Sequence, residues 1–286
     1  AFNPPPQFAI RDAYSKVLDA NNRLAYSYTL SASVASGSGT VTGLTSSSRV
    51  GGVVSFNNLR VTSGVGVYAF TISATLDSTN LQTRSVNYNV MAGEPGQLVV
   101  TANTTSAVVG QTGLHFSVSV RDDFGNAITA GDYKNITVSA SVSGATATIL
   151  SGNQARANDS GLATFDSLVI AASTSNTITV SFQVTFTPLA GGTKTVTSSG
   201  TVVTLTPGAP TQMAINSTSQ SQANRSTLSQ LVVRLLDAYG NQSLNRTGTI
   251  SAVIGSGSGA SLIGTTNSAV ATGSNVAAVA TFSNLA

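Results

Sequence analysis

Val120-Arg121-Asp122-Asp123-Phe124-Gly125-Asn126 is the stretch that decides the fold. It recurs upstream as Ile10-Arg11-Asp12-Ala13-Tyr14 and downstream as Leu235-Leu236-Asp237-Ala238-Tyr239-Gly240-Asn241, with the aspartates 110 and 115 residues apart. A second motif follows each occurrence. It reads Gly52-Val53-Val54-Ser55-Phe56-Asn57-Asn58-Leu59, then Gly161-Leu162-Ala163-Thr164-Phe165-Asp166-Ser167-Leu168, then Val279-Ala280-Thr281-Phe282-Ser283-Asn284-Leu285. The spacing from aspartate to phenylalanine is 44, 43 and 45 residues. Two motifs holding one register through three copies mark a tandem repeat. Gly93-Glu94-Pro95 and Gly208-Ala209-Pro210, also 115 apart, open the second and third copies.

Around these motifs the hydrophobic period is two. Leu114, Phe116, Val118 and Val120 alternate with His115, Ser117, Ser119 and Arg121. Ile136, Val138, Ala140 and Val142 alternate in the same way, as do Tyr68, Phe70, Ile72 and Ala74, and Ile178, Val180, Phe182 and Val184. Such alternation predicts strands with one face inward and one face wet. Gly, Ser and Asn clusters between the runs supply turns. No segment carries a 3.6-residue period. Many short strands in units of roughly 110 residues predict β-sandwiches.

Composition narrows the function. The chain has 286 residues, of which 8% are charged, with 41 Ser, 38 Thr, 27 Gly, one His, no Cys and no Trp. A net charge of +3 without a Lys/Arg cluster excludes a nucleic-acid binder. No run of about 20 apolar residues marks a membrane span. The first residues, Ala1-Phe2-Asn3-Pro4-Pro5-Pro6, lack the basic start and apolar core of a signal peptide, so the chain reads as a mature or excerpted stretch. Pro4-Pro5-Pro6 sets a short extended segment, either a stiff connector or a linker. Without cysteine there is no disulfide framework.

The repeat frame is cut at both ends. By the offset between copies, the first copy lacks roughly 17 residues at its start, and the third lacks about 33–39 at its end. The third copy is therefore expected to expose an open edge, a template for pairing with another chain. Either the natural chain continues or a neighbouring protomer donates strands.

The Asp-x-(Tyr/Phe)-Gly-Asn turn, the Gly-x-Ala-x-Phe-x-x-Leu strand and the Gly-x-Pro linkers resemble bacterial immunoglobulin-like repeats, as in invasin- and intimin-type surface proteins. Filamin-type repeats are a more distant likeness. The resemblance covers essentially the whole chain. Copy one departs from it: Ser15-Lys16 replaces Gly-Asn, so its hairpin is expected to take another turn. The resemblance implies an all-β chain of tandem immunoglobulin-like sandwiches. They would span residues 1–92 (first strand missing), 93–207, and 208–286 (last strands missing). It also implies extracellular spacers, stalks, adhesins or fibre subunits, and no catalytic residues.

Candidate sites are few. Asp12, Asp122 and Asp237, with Gly125-Asn126 and Gly240-Asn241, form the repeat turn motif. A calcium site at the copy junctions is one reading, a turn aspartate binding backbone N–H groups the other. With ten acids in the whole chain, the scarcity of ligands favours the turn role, and no metal or other cofactor is expected. His115, alone of its kind, is expected at the surface rather than in a metal or catalytic site. Asn103, Asn135, Asn158, Asn216, Asn224, Asn241 and Asn245 stand in N-glycosylation sequons, close to the number that chance gives, and are candidate glycan carriers. The many hydroxyls offer further room for sugar.

These features predict a structural protein rather than an enzyme. The expected role is a repeating subunit of an extracellular fibre or surface layer, a homopolymer assembled head to tail with strand complementation. Those strands cannot come wholly from residues 1–7. The alternative is the stalk of a cell-surface adhesin. A carbohydrate-binding module ranks last, since Trp is absent and most Tyr and Phe fall at inward positions.

Overall fold

The structure, a computed structural model, describes residues 6–17, 28–37, 39–46, 49–50, 53–76, 79–80, 84–144, 146–173, 177–216, 220–223, 225–256, 259–273 and 275–286. Among the described residues every regular element is a strand. The fold is all-β, built from immunoglobulin-like sandwich sheets in tandem.

The second copy is the fullest. Its main strands are β6 (Pro95–Thr104), β7 (Leu114–Asp122), β8 (Thr137–Ser143), β9 (Leu162–Ala171), β10 (Thr177–Phe186) and β11 (Thr201–Thr206), and the main strands of the first copy are β1 (Gln7–Ala9), β2 (Tyr28–Ser36), β3 (Val53–Ser55), β4 (Gly66–Leu76) and β5 (Arg84–Val90), with shorter ones between them. One sheet has the order β6-β7-β9 and a flanking strand at Thr148–Ser151. The facing sheet centres on β11-β10-β8. The chain crosses between the sheets after Thr104, where Ser106–Val108 pairs parallel with β11.

The alternation on β7 and β10 does what period two requires. Leu114, Phe116, Val118 and Val120 are buried from one sheet, and Ile178, Val180, Phe182 and Val184 from the other. Phe182 sits at the centre, with ring centroids 5.2 Å from Phe116 and 4.8 Å from Phe165. The phenylalanine of the second motif thus faces the middle of the opposite sheet. Edge-on and tilted ring packing adds to the apolar burial there.

Copy one repeats this plan, with no counterpart of β6 among the described residues. Its first sheet runs β1-β3 and then Arg49–Val50, so β1 is an edge. Its second sheet centres on β5-β4-β2. Tyr68 and Phe70 fill the core, and the Tyr68 hydroxyl accepts the Gly39 N–H at 2.6 Å.

Copy three has β12 (Gln212–Ile215), β13 (Leu231–Leu236), β14 (Thr249–Ser251), β15 (Asn267–Ala269) and β16 (Val279–Phe282). The sheet β12-β13-β16 matches β6-β7-β9, whereas the opposite sheet is, among the described residues, the pair β14-β15. Among the described residues nothing stands where β10 and β11 stand in copy two. The hydrophobic clusters follow suit. Among the described residues, the second copy's has 21 buried residues, the first copy's seven, and the third copy's four (Val233, Ala280, Phe282 and Leu285).

Candidate functional site at the copy junctions

The recurring aspartate ends a strand and caps the hairpin after it. In copy two, Asp122 Oδ1 accepts the N–H groups of Phe124 and Asn126, each at 2.9 Å. The Asn126 side-chain amide donates to both carboxylate oxygens, at 3.2 and 3.0 Å. The backbone closes the same loop: Gly125 N–H donates to Asp122 O, and Asp122 N–H to Asn126 O. Asp is suited here because its short carboxylate reaches backbone N–H groups two residues on. Gly125 and Gly240 take φ of +83°, which glycine adopts without steric cost.

The second carboxylate oxygen does something the hairpin alone does not need. Oδ2 of Asp122 accepts Gly93 N–H at 3.1 Å, and Oδ2 of Asp237 accepts Gly208 N–H at 2.9 Å. The first residue of each Gly-x-Pro segment is therefore clamped to the hairpin of its own copy. Burial pushes both carboxyls up. The donors outweigh it: the Asn126 side chain and the N–H groups of Gly93, Asn126 and Phe124 for Asp122, and the Gly208 N–H with Asn241 and Tyr239 for Asp237. Both pKa values come out below the ordinary carboxylate value.

Copy one corrects the expectation of a different turn. Asp12 Oδ1 accepts the N–H groups of Tyr14 and Lys16 at 2.9 Å each, and Asp12 N–H donates to Lys16 O. The turn is the same, and Ser15 takes the glycine's place at φ +65°. The local hydrogen bonds override the residue's own preference. Ser15→Gly is expected to stabilise this hairpin by about 1 kcal/mol, the cost of a left-handed L-residue. Slower amide exchange at Tyr14 and Lys16 is the check.

The junction between copies two and three has further contacts that the sequence did not announce. Asn241 Nδ2 donates to Ala172 O at 2.8 Å, across the junction. Ser243 Oγ donates to Gly208 O at 2.9 Å. The Tyr239 ring lies on Gly110, where an added Cβ would collide with it. Gly110 also has φ +72°. Gly110→Ala is expected to loosen this junction by about 2 kcal/mol through overpacking, read as faster amide exchange at Tyr239 and Asn241 with copy-two core amides unchanged. The equivalent left-handed position in copy three holds Arg225, at φ +65°. The missed signal was the aromatic two residues after each aspartate, which reads as turn filler in sequence.

The junction between copies one and two is more open. Phe124, the counterpart of Tyr239, is 61% exposed, and the Asn126 side chain donates to Asp122 alone among the described residues. A cleft of about 270 Å³ lies there, between Val61–Gly64 on one side and Gly93, Glu94 and Asp122–Phe124 on the other.

The remaining candidates fall as follows. His115 is half-exposed, with Nδ1 3.1 Å from Asp166 Oδ1 on the neighbouring strand. Among the described residues, no three of His, Asp and Glu gather where a metal ion could be held. Asn103, Asn158, Asn216 and Asn245 are exposed and Asn135 is half-buried, whereas Asn224 lies outside the described residues. Asn241 is corrected as a glycan candidate: it is 3% exposed and its nitrogen is spent on Ala172 and Asp237. Pro4 and Pro5 lie outside the described residues, and Pro6 O accepts Phe56 N–H.

No protein-family model and no curated protein matches the sequence. The chain is similar to solved structures. One is the Escherichia coli adhesin FdeC, at 16% identity over 97% of this chain and 82% of that one, with a TM-score of 0.44. Others are the extracellular domains of protocadherin gamma B7 (14% identity, 76% and 50% covered, TM-score 0.32) and gamma B4 (15% identity, 78% and 34% covered, TM-score 0.34). The chain spans half the length of the first protocadherin and a third of the second.

Proposed function

We propose that the chain is a structural repeat protein of an extracellular fibre or surface layer, assembled head to tail by strand complementation. The division into units at 92/93 and 207/208 is part of this reading. The observation that carries it is the clamp repeated at Gly93–Asp122 and Gly208–Asp237. A buried carboxylate that ties each linker to its own hairpin sets the angle at which one unit leaves the last. Such a device serves an array that holds a shape.

Strand complementation is supported by the unequal sheets of copy three. Phe282 is the counterpart of Phe165, yet the sheet that should supply its Phe182 is two strands wide among the described residues. Strands from a neighbouring protomer would widen that sheet through main-chain hydrogen bonds. Sparse charge favours lateral and end-to-end contact, since little repulsion opposes it. Glycans at Asn103, Asn135, Asn158, Asn216 or Asn245 belong to the same extracellular reading, and the intact mass before and after deglycosylation tests them.

Electron microscopy of purified residues 1–286 tests assembly. Filaments or sheets with contacts at copy three support the fibre. Isolated monomers at all concentrations leave the adhesin stalk, in which the same clamps stiffen a spacer.

A further inference from the structure

We infer that the joint between copies one and two is a two-position hinge. It swings about Met91-Ala92, from the open position of this structure to a closed one in which Asn126 Nδ2 donates to Ser63 O and Phe124 is covered. The hinge goes beyond the array reading and does not rest on assembly.

The joint between copies two and three shows the closed position. Asn241 Nδ2 donates to Asp237 Oδ1 and Oδ2 at 3.3 and 3.1 Å, and also to Ala172 O at 2.8 Å. Asn126 Nδ2 makes the same pair of bonds to Asp122, at 3.2 and 3.0 Å. The donor is therefore held in one pose in both hairpins. The acceptors are equivalent too. Ala172 and Ser63 each stand seven residues after the phenylalanine of the second motif, at Phe165 and Phe56. Ala172 is buried under its partner, whereas Ser63 is exposed and its carbonyl takes no hydrogen bond among the described residues. Ser63 and Asn126 line one cleft. Both partners of the closing bond are thus in place on its walls.

The two linkers differ in freedom. Gly93 and Gly208 are each clamped to the hairpin that follows, so only the residues between the preceding strand and the glycine can turn. β11 ends at Thr206, which leaves Pro207 alone, its φ fixed by the ring. β5 ends at Val90, which leaves Met91 and Ala92, neither restricted in that way. The wall that receives copy two is firm. Ser63 Oγ accepts Thr40 N–H at 3.1 Å, and Thr62 N–H donates to Thr40 O at 2.9 Å. Motion therefore falls on the linker. Closing gives the Phe124 ring the kind of cover that Tyr239 has against the copy-two core.

The chain has no tryptophan, so Phe124→Trp puts a single emitter on the moving hairpin. Phe124 is largely exposed, and the larger ring is accommodated there. Acrylamide quenching of the fluorescence lifetimes of residues 1–286 reads the two positions. A quenchable majority and a shielded minority are expected. Ala92→Pro, which copies Pro207, should raise the shielded share about two- to fivefold by restricting the linker. Asn126→Ser keeps a donor for Asp122 but is too short to reach Ser63 O, and should lower that share about fivefold, the loss of one hydrogen bond. Unchanged amide exchange in the copy-two core is expected in every variant. A single, fully quenched population, a shielded share that Asn126→Ser leaves as it was, or a fall in Ala92→Pro would overturn the hinge.

Discussion

Phe182→Ala is expected to destabilise the second copy by about 3–5 kcal/mol, the usual cost of emptying an aromatic from a sealed core. Phe182 is fully buried and touches the rings of both Phe116 and Phe165, one from each neighbouring strand of the opposite sheet. The space it leaves is bounded by those rigid rings and collapses poorly. The contrast with Phe282 sharpens the expectation. Phe282 occupies the same repeat position as Phe165 but lies, among the described residues, in a cluster of four buried residues. Phe282→Ala should cost about 2 kcal/mol or less, because less packing is lost. Amide exchange of β7 and β10, compared with that of β13 and β16, reads the two effects separately in one chain. Equal losses would mean that the third core is as tightly filled as the second.

Replacing the three repeat aspartates by alanine should give graded losses. Asp237→Ala leaves the N–H groups of Gly208, Tyr239 and Asn241 without their acceptor in a buried site, and about 3 kcal/mol is expected. Asp122→Ala should fall slightly below it, since Asn126 lacks the second anchor that Asn241 has on Ala172. Asp12→Ala, at an exposed hairpin with no linker to hold, should cost under about 1 kcal/mol. Thermal unfolding with amide exchange at Gly93 and Gly208 distinguishes the three.

The same clamps set a pH dependence. Both pKa values are depressed in the folded chain. The stabilisation is therefore complete above the unfolded value of about 4. It is lost as pH falls through the lower folded values, when the protonated carboxyl no longer accepts as strongly. Stability should be flat from neutral pH down to about 5 and drop in more acid solution. Asp122→Asn with Asp237→Asn should flatten that drop.

Much of this fold was legible in the residues. Period-two runs such as Leu114–Val120 need no tertiary knowledge, because alternation follows from strand geometry alone. The spacing of 43–45 residues between the aspartate and the phenylalanine carried the repeat frame. The turn role of Asp122 and Asp237 was equally local. Ser15 misled because a rule about residue preference was applied where Asp12 had already decided the backbone. Asn241 misled because a sequon is three residues long and says nothing of Ala172, 69 positions away. The linker clamp was hidden for the same reason. Gly93 and Asp122 are 29 residues apart, and only the pairing of β6 with β7 brings them together.

The two joints also differ in compliance. The joint at Gly208 is filled by Tyr239 on Gly110 and bolted by Asn241 to Ala172, whereas the one at Gly93 borders an open cleft. Under tension or bending the chain should yield first near residues 90–93 and keep its second and third copies as one stiff rod.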